Sequence, residues 1–239
     1  GRLYKGYRLL AADGSDIQIP TDPKHTDSYF PGTNGQAPYS LLHLNAVYDL
    51  LLHTYIDVDL CGRRDWNEQR ALVNMVDRSF VEKALIIADR GYESYNLMAH
   101  IQEKGWKFLI RVKDIYSSGI ASGLELPDSD EFDLHCPIQL TRRKKAETIP
   151  LFADRNHYKW IGTSTPFDYL PTGSHKHDPI AFYDLPFRIV RFKLSDSTYE
   201  TVITNLDEES FPPEELKHLY GMRWGIETSF RELKYTIGL

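Results

Sequence analysis

The sequence predicts an α/β protein, a sheet flanked by helices with a β-rich insertion before the last helix. Three observations carry this. Between residues 8 and 113, apolar strand-like runs alternate with amphipathic helical segments, the pattern of a sheet covered by helices. After Asp114 that rhythm stops, and until about Asn205 only short β-like runs separated by Gly and Pro remain. From Pro212 a helical apolar period resumes.

In chain order, Arg8 to Ser15 reads as an apolar strand running into a turn at Asp13-Gly14, and Ile17-Gln18-Ile19 reads as a paired strand stopped by Pro20. Pro23 to Pro38 is a polar loop. Ser40 to Asp59 is dense in β-tolerant apolar residues with a break near Asp49, which predicts two more strands. Asp65 and Glu68 have the spacing of a capping box, and Leu72, Val73, Met75, Val76 and Phe80 predict an amphipathic helix from about Trp66 to Ser79. Lys83 to Asp89 reads as a buried central strand closed by Arg90-Gly91. Ser94 can cap a second helix that ends at Gly105, and Lys107 to Lys113 is the next strand. In the insertion, β-like runs fall at Ile138 to Leu140, Trp160 to Thr163, Phe187 to Leu194 and Tyr199 to Thr204. The acidic stretch Glu125, Asp128, Asp130, Glu131 and Asp133 reads as a solvated loop. Pro212-Pro213 with Glu214 and Glu215 opens a helix running to about Tyr235. Its core face is Leu216, Leu219, Met222, Ile226, Phe230, Leu233 and Ile237, and Tyr220, Arg223, Glu227 and Lys234 form a second narrow stripe beside it.

Composition bounds the class. In 239 residues, 41% are hydrophobic and 26% charged, which excludes disordered, collagen-like and disulfide-framework proteins. Cys61 and Cys136 are too few and too far apart for a metal or staple pattern, so a reducing, intracellular setting is expected. Apolar runs such as Ala84 to Ala88 fall short of the roughly 18 residues that span a bilayer. The start Gly1-Arg2-Leu3-Tyr4 lacks Met and a signal h-region, so a trimmed fragment is expected. A net charge of −6 argues against a simple basic nucleic-acid binder. Yet residues 139 to 193 carry ten Lys/Arg against five Asp/Glu, a net +5, leaving −11 elsewhere. The acidic balance is therefore unevenly distributed, and −6 does not exclude nucleic acid.

Three carboxylates sit where a fold can hold them rigidly: Asp13 and Asp89 at strand ends and Glu227 on the helical stripe. Hard divalent cations need such oxygen ligands, and a pair of ions can stabilise both attacking and leaving oxygens in phosphoryl transfer. Singly, each has a plainer explanation as a turn residue or a surface helix carboxylate.

The spacing Tyr220-x2-Arg223-x3-Glu227-x6-Lys234 resembles the YREK signature of the DDE transposases of the insertion-sequence four group. Ala12-Asp13-Gly14-Ser15 with Ile19-Pro20 is similar to that family's first-Asp segment, and Ile86-Ile87-Ala88-Asp89-Arg90-Gly91-Tyr92 to its second. The resemblance spans essentially the whole chain. It implies a ribonuclease-H-like mixed sheet built from residues 1–113 and 206–239, with 114–205 as the β-rich insertion. It also implies cut-and-paste DNA transposition, in which Asp13, Asp89 and Glu227 bind two Mg²⁺, with Mn²⁺ able to substitute. Water releases a 3′-hydroxyl at the element end, and that hydroxyl attacks the opposite strand to give a hairpin in relatives before joining target DNA. Arg223 and Lys234 offer charge to phosphates, Tyr220 a hydroxyl donor, along a stripe roughly 21 Å long at 1.5 Å per residue. The plainer alternative for these three is helix-surface pairing, notably Arg223 with Glu227.

Trp160, in the insertion, is a candidate for stacking a flipped base, as an insertion tryptophan does in relatives, with a core tryptophan as the alternative. Arg142-Arg143-Lys144-Lys145 is a basic cluster for DNA backbone or a solvated turn. His175-x-His177 with Asp178 reads as a polar loop rather than a metal site. The implied partners are element-end and target DNA and a second copy in a synaptic complex, with no membrane and no small-molecule cofactor, in a prokaryotic cytoplasm at the nucleoid. The amino-terminal DNA-binding and carboxy-terminal dimerisation parts of such enzymes are expected to lie outside these residues. A ribonuclease-H-like nuclease without strand transfer, or an inactive DNA-binding relic, are the alternatives.

Overall fold

A computed structural model describes residues 2–33, 35–62, 66–173 and 178–237. The chain begins with β1 (Arg8–Ile19), the two-residue β2 (Tyr29–Phe30), β3 (Tyr39–Asp49) and β4 (Thr54–Cys61). Helix α1 (Glu68–Arg78), β5 (Ala84–Ala88), α2 (Tyr95–Glu103) and β6 (Lys107–Arg111) follow. Next come β7 (Phe132–Thr141), β8 (Tyr158–Trp160), β9 (Tyr183–Ser195) and β10 (Thr198–Thr204), then α3 (Pro213–Met222) and α4 (Trp224–Glu232). All ten strands of the described residues join one sheet in the order β2-β3-β1-β5-β6-β10-β9-β7-β8, with β4 also paired to β3.

The pairing is mixed. β3 lies antiparallel between β1 and β4, whereas β5 runs parallel to both β1 and β6. The order β4-β3-β1-β5-β6, with three antiparallel strands followed by two parallel ones, is the ribonuclease-H-like arrangement expected from the sequence. Beyond β6 the sheet continues through the antiparallel β10, β9 and β7. Strands covered on both sides must be apolar on both faces. In β1, Leu10 and Ala12 pack with Leu72, Val76, Leu97 and Ile101 of α1 and α2. Leu9 and Ala11 pack on the other face with Leu216, Leu219, Ile226 and Phe230 of α3 and α4.

Four expectations change in detail. Asp13-Gly14 is no turn: β1 runs unbroken through it, paired with Ala46 and Asn45 of β3. Glycine is needed there for space, since a Cβ would lie 2.6 Å from His43 Nε2 and 2.7 Å from Glu68 Oε1. Helix α1 starts at Glu68 with Asn67 as N-cap, its side chain accepting from Arg70 N; Asp65 lies outside the described residues. The acidic stretch is partly structural: Asp133 lies in β7 and pairs with buried Arg188, while Glu131 Oε2 accepts from Lys193 N at 3.0 Å. The last helix is two, because Arg223 N bonds Tyr220 O and Ile226 N bonds Arg223 O, a 3₁₀-type tightening; a π-helical turn, Leu233–Ile237, follows α4. Gly225 lets this region approach the sheet, as a Cβ there would meet Leu50 Cδ2 at 2.8 Å. No helix among the described residues is long and apolar enough to cross a membrane.

Where β3 turns into β4, Asp49 is fully buried. It accepts from Arg8 Nε at 2.7 Å and from Leu51 and Leu52 N at 2.9 and 2.8 Å. Asp49→Ala strands a guanidinium and two backbone donors, and should lower the unfolding free energy by about 3 kcal/mol in urea titration. An unchanged midpoint would show that this turn is held by other contacts.

Candidate active site

Ala12 of β1 and Ala88 of β5 are partners in the parallel register, so the next residue on each strand is an acid, Asp13 and Asp89. Neighbouring strands lie about 4.8 Å apart, and equal parity sends both side chains to one face. α3 and α4 cover that face. From it Arg223 reaches Asp13 Oδ2 (3.5 Å) and Glu227 Oε1 (2.7 Å), while the Tyr220 hydroxyl lies 3.3 Å from Asp89 Oδ1. Five of the predicted residues, Asp13, Asp89, Tyr220, Arg223 and Glu227, therefore lie together on this face.

Charge on that face is unevenly balanced. Burial pushes the Asp13 carboxyl up to about 6; the Gly14 N–H and Arg223 oppose this, and Glu227 and Glu68 add to it. Burial acts on Asp89 too, but Arg111 Nε at 2.6 Å and the Arg90 N–H at 2.7 Å outweigh it and hold it below the ordinary carboxylate range. Burial raises the Tyr220 hydroxyl, keeping it a neutral donor. Arg223 is buried, lies 5.6 Å from the centroids of both the Tyr220 and Trp224 rings, and its Nε has no hydrogen-bond partner among the described residues. A buried donor of that kind suits an incoming oxygen ligand.

Arg111, Glu68 and His43 were not anticipated. Arg111 is legible in hindsight from register: Ala88 pairs with Ile110, which sets Arg111 beside Asp89. Its other arm donates to Glu200 Oε1 at 2.9 Å. Glu68, in the first turn of α1, contacts His43 Nε2 at 3.1 Å, and His43 Nδ1 lies 2.8 Å from Asp16 Oδ1. Burial lowers the His43 imidazole, but these two carboxylates overcome it and raise it.

The other predicted residues lie apart. Lys234 sits half-buried on the π-helical turn and makes no ion pair with the three acids. Trp160 ends β8 and is 42% exposed; its Nε1 donates to Arg142 O at 3.3 Å and Lys144 Nζ stands 5.1 Å from its ring centroid. Arg142 is spent on backbone carbonyls, donating to Gly162, Thr165, Phe167 and Leu170. Arg143 lies 3.7 Å from Asp178, and the Lys145 N–H donates to Thr148 Oγ1 at 2.9 Å. His175 and His177 lie outside the described residues. One link joins the two regions: Lys159, next to Trp160, lines a cavity of about 430 Å³ with Arg90 and Gly91.

For a divalent cation, the donor chemistry fits. Asp13, Asp89 and Glu227 offer only hard oxygens. Among the described residues no three acidic, His or Cys groups are yet gathered tightly enough to hold an ion. The Arg223 guanidinium pairs with both Asp13 and Glu227.

The sequence model of the family described as the transposase DDE domain matches residues 4–239. No curated protein matches the chain. Among solved structures, the fold is similar to a cryo-EM structure of a piggyBac transposase synaptic complex with hairpin DNA, at 11% identity and a TM-score of 0.49. The match covers 95% of this chain and 40% of that one, so the chain spans well under two thirds of that protein's length.

The Asp13 shift has a testable sign. The folded chain holds this proton to about pH 6, against about 3.9 for an unfolded Asp. The folded state therefore binds more protons between those values, and stability contributed below pH 4 is lost as pH rises through 6. In a chelating buffer Asp13→Asn should be more stable than the parent above pH 6 by about 2 kcal/mol, the gap closing towards pH 4. Thermal melts at both pH values measure it, and an equal gap at each would contradict the assignment.

Proposed function

Since this chain belongs to the DDE transposase domain family, we propose that it is the catalytic core of a cut-and-paste DNA transposase of the insertion-sequence four group, Tyr220, Arg223, Glu227 and Lys234 being its YREK residues. The observation that carries the reading is the meeting of Asp13 and Asp89, from adjacent parallel strands, with Glu227, Arg223 and Tyr220 of the covering helices. Residues 1–113 and 206–239 form the catalytic unit in this proposal, and 114–205 the β-rich insertion.

Asp13, Asp89 and Glu227 would hold two Mg²⁺, or Mn²⁺ in its place. When bound, such ions stabilise charge on the attacking and leaving oxygens of the phosphodiester. The protein's own groups do the rest. Arg223 offers a planar fork to two phosphate oxygens, including the Nε–H that lacks a partner here. Tyr220 donates a hydrogen bond from a hydroxyl that stays neutral. Lys234 adds a point charge farther along the strand. In cleavage, water attacks the phosphodiester and leaves a 3′-hydroxyl and a 5′-phosphate; that 3′-hydroxyl then attacks a second phosphodiester, forming a new one and expelling that strand's 3′-oxygen as a hydroxyl, first on the opposite strand to close a hairpin at the element end and, after reopening, on target DNA. Trp160 would stack a displaced base, with Lys144 beside it for the backbone and Arg142 fixing the loop beneath. The full-length protein would act on DNA in the cytoplasm, at the nucleoid, as a homodimer that synapses two element ends.

Asp13→Asn, Asp89→Asn and Glu227→Gln should each abolish Mg²⁺-dependent cleavage and strand transfer, beyond the roughly 10–100-fold loss that follows removal of a group merely orienting a ligand. A variant that keeps parental rates takes its residue out of the site. Cleavage without joining would instead support a nuclease, and no cleavage by the full-length protein an inactive relic. Arg223→Ala and Lys234→Ala should each weaken DNA binding and flatten the log–log salt dependence by about one unit per lost phosphate contact. An unchanged slope would remove that residue from the backbone contacts.

A further inference from the structure

Apart from the acid cluster, the most organised exposed aromatic is Trp66, which precedes α1 and is 46% exposed. One face of its indole stacks on the His43 imidazole, with ring centroids 4.4 Å apart and planes 26° from parallel. The imidazole is itself buried and held between Asp16 and Glu68, at 2.8 and 3.1 Å. Gly14, the residue after Asp13, makes room for both His43 and Glu68, and the second Glu68 oxygen lies against Gly91, two residues after Asp89. Trp66 is thus fixed through two side chains to the strand and the turn that carry two of the acids. An aromatic face held in one orientation loses little entropy when a second ring stacks on it.

Its position is also informative. The parallel pairing of β5 with β1 stops at Ala12, so residues 13–19 of β1 project beyond it with β3 alongside. His43 is the register partner of Asp16, three residues from Asp13, or about 10 Å along the strand. Asp16 has the opposite parity to Asp13, so the Trp66 ring stands on the α1 face of that projection, and Glu68, whose charge is felt by Asp13, links it to the acid cluster. Its surroundings select the ligand, because Asp16 and Glu68 beneath the imidazole repel phosphate, while a nucleobase presents a flat, uncharged face. Bases in a duplex have their faces occupied by their neighbours, so only an unpaired base can use the indole.

We propose that Trp66, backed by His43, is a stacking platform for an unpaired nucleobase on the α1 face of the sheet, separate from Trp160. The inference rests on the DNA-acting reading above, and the two fail differently. The probes are a fluorescein-labelled oligo(dT) and a blunt duplex of mixed sequence, titrated by fluorescence anisotropy with the parent chain, Trp66→Ala and Trp66→Phe. Trp66→Ala should bind oligo(dT) about 5- to 100-fold more weakly while duplex affinity changes by less than about twofold. Its salt slope should stay that of the parent, because no phosphate contact is removed. Trp66→Phe should keep most of the affinity. If Trp66→Ala does not fold, Trp66→Leu keeps apolar cover over His43 without a π-face and should show the same selective loss. Unchanged oligo(dT) binding, or equal weakening on both probes, overturns the platform while leaving the DNA-acting reading intact. A parent chain that binds neither probe overturns the DNA-acting reading and the platform with it.

Discussion

The candidate site depends on one constraint, the parallel register that sets Ala12 of β1 opposite Ala88 of β5. Two buried alanines one step before two acids place both carboxylates at the same height on neighbouring strands. Shifting either strand by one residue would send its acid to the opposite face, away from α3 and α4. The same register sets Arg111 on β6 beside Asp89. The core holds it in place: Leu9 and Ala11 of β1 and Leu85 and Ile87 of β5 pack under α3 and α4, while Leu10, Ala12 and Ile86 pack under α1 and α2.

Gathering acids on a half-buried face concentrates like charge, and the structure answers it with arginine. Arg111 bridges Asp89 and Glu200, and Arg223 bridges Asp13 and Glu227. The two acids on the strands nonetheless differ, since Asp89 is held low by Arg111 while burial pushes Asp13 up against the weaker opposition of Gly14 and Arg223. Arg223 thus supplies positive charge to two acids at once. In the proposed function, a cation held by the three acids would compete with this guanidinium for Asp13 and Glu227.

Much of this was legible in the sequence, and the rest was hidden for physical reasons. Apolar runs such as Ala84 to Ala88 and the cap at Ser94 gave the alternating elements, and the spacing of Tyr220, Arg223 and Glu227 put three side chains on one helical stripe. Asp13-Gly14 misled because a DG pair signals a turn, whereas Gly14 serves here as an opening for His43 and Glu68, both far from it in sequence. The break at Arg223 was invisible to periodicity because its dihedrals stay helical, φ −52° and ψ −33°, and only the hydrogen-bond spacing changes. Arg142 read as a solvent-facing cation because local sequence cannot reveal four carbonyls presented by the 162–170 loop. Arg111, Glu68 and His43 entered the site by strand register and helix placement, which are long-range properties.

The proposal that most needs testing is that Asp13, Asp89 and Glu227 hold a divalent cation in competition with Arg223. The most direct measurement is a crystal structure of the chain soaked in Mn²⁺, with anomalous diffraction to locate the metal. The account predicts manganese bound among the three carboxylates, with the Arg223 guanidinium withdrawn from Asp13 and Glu227. Manganese bound elsewhere, with the Arg223–Glu227 pair intact and no density between the acids, would contradict it.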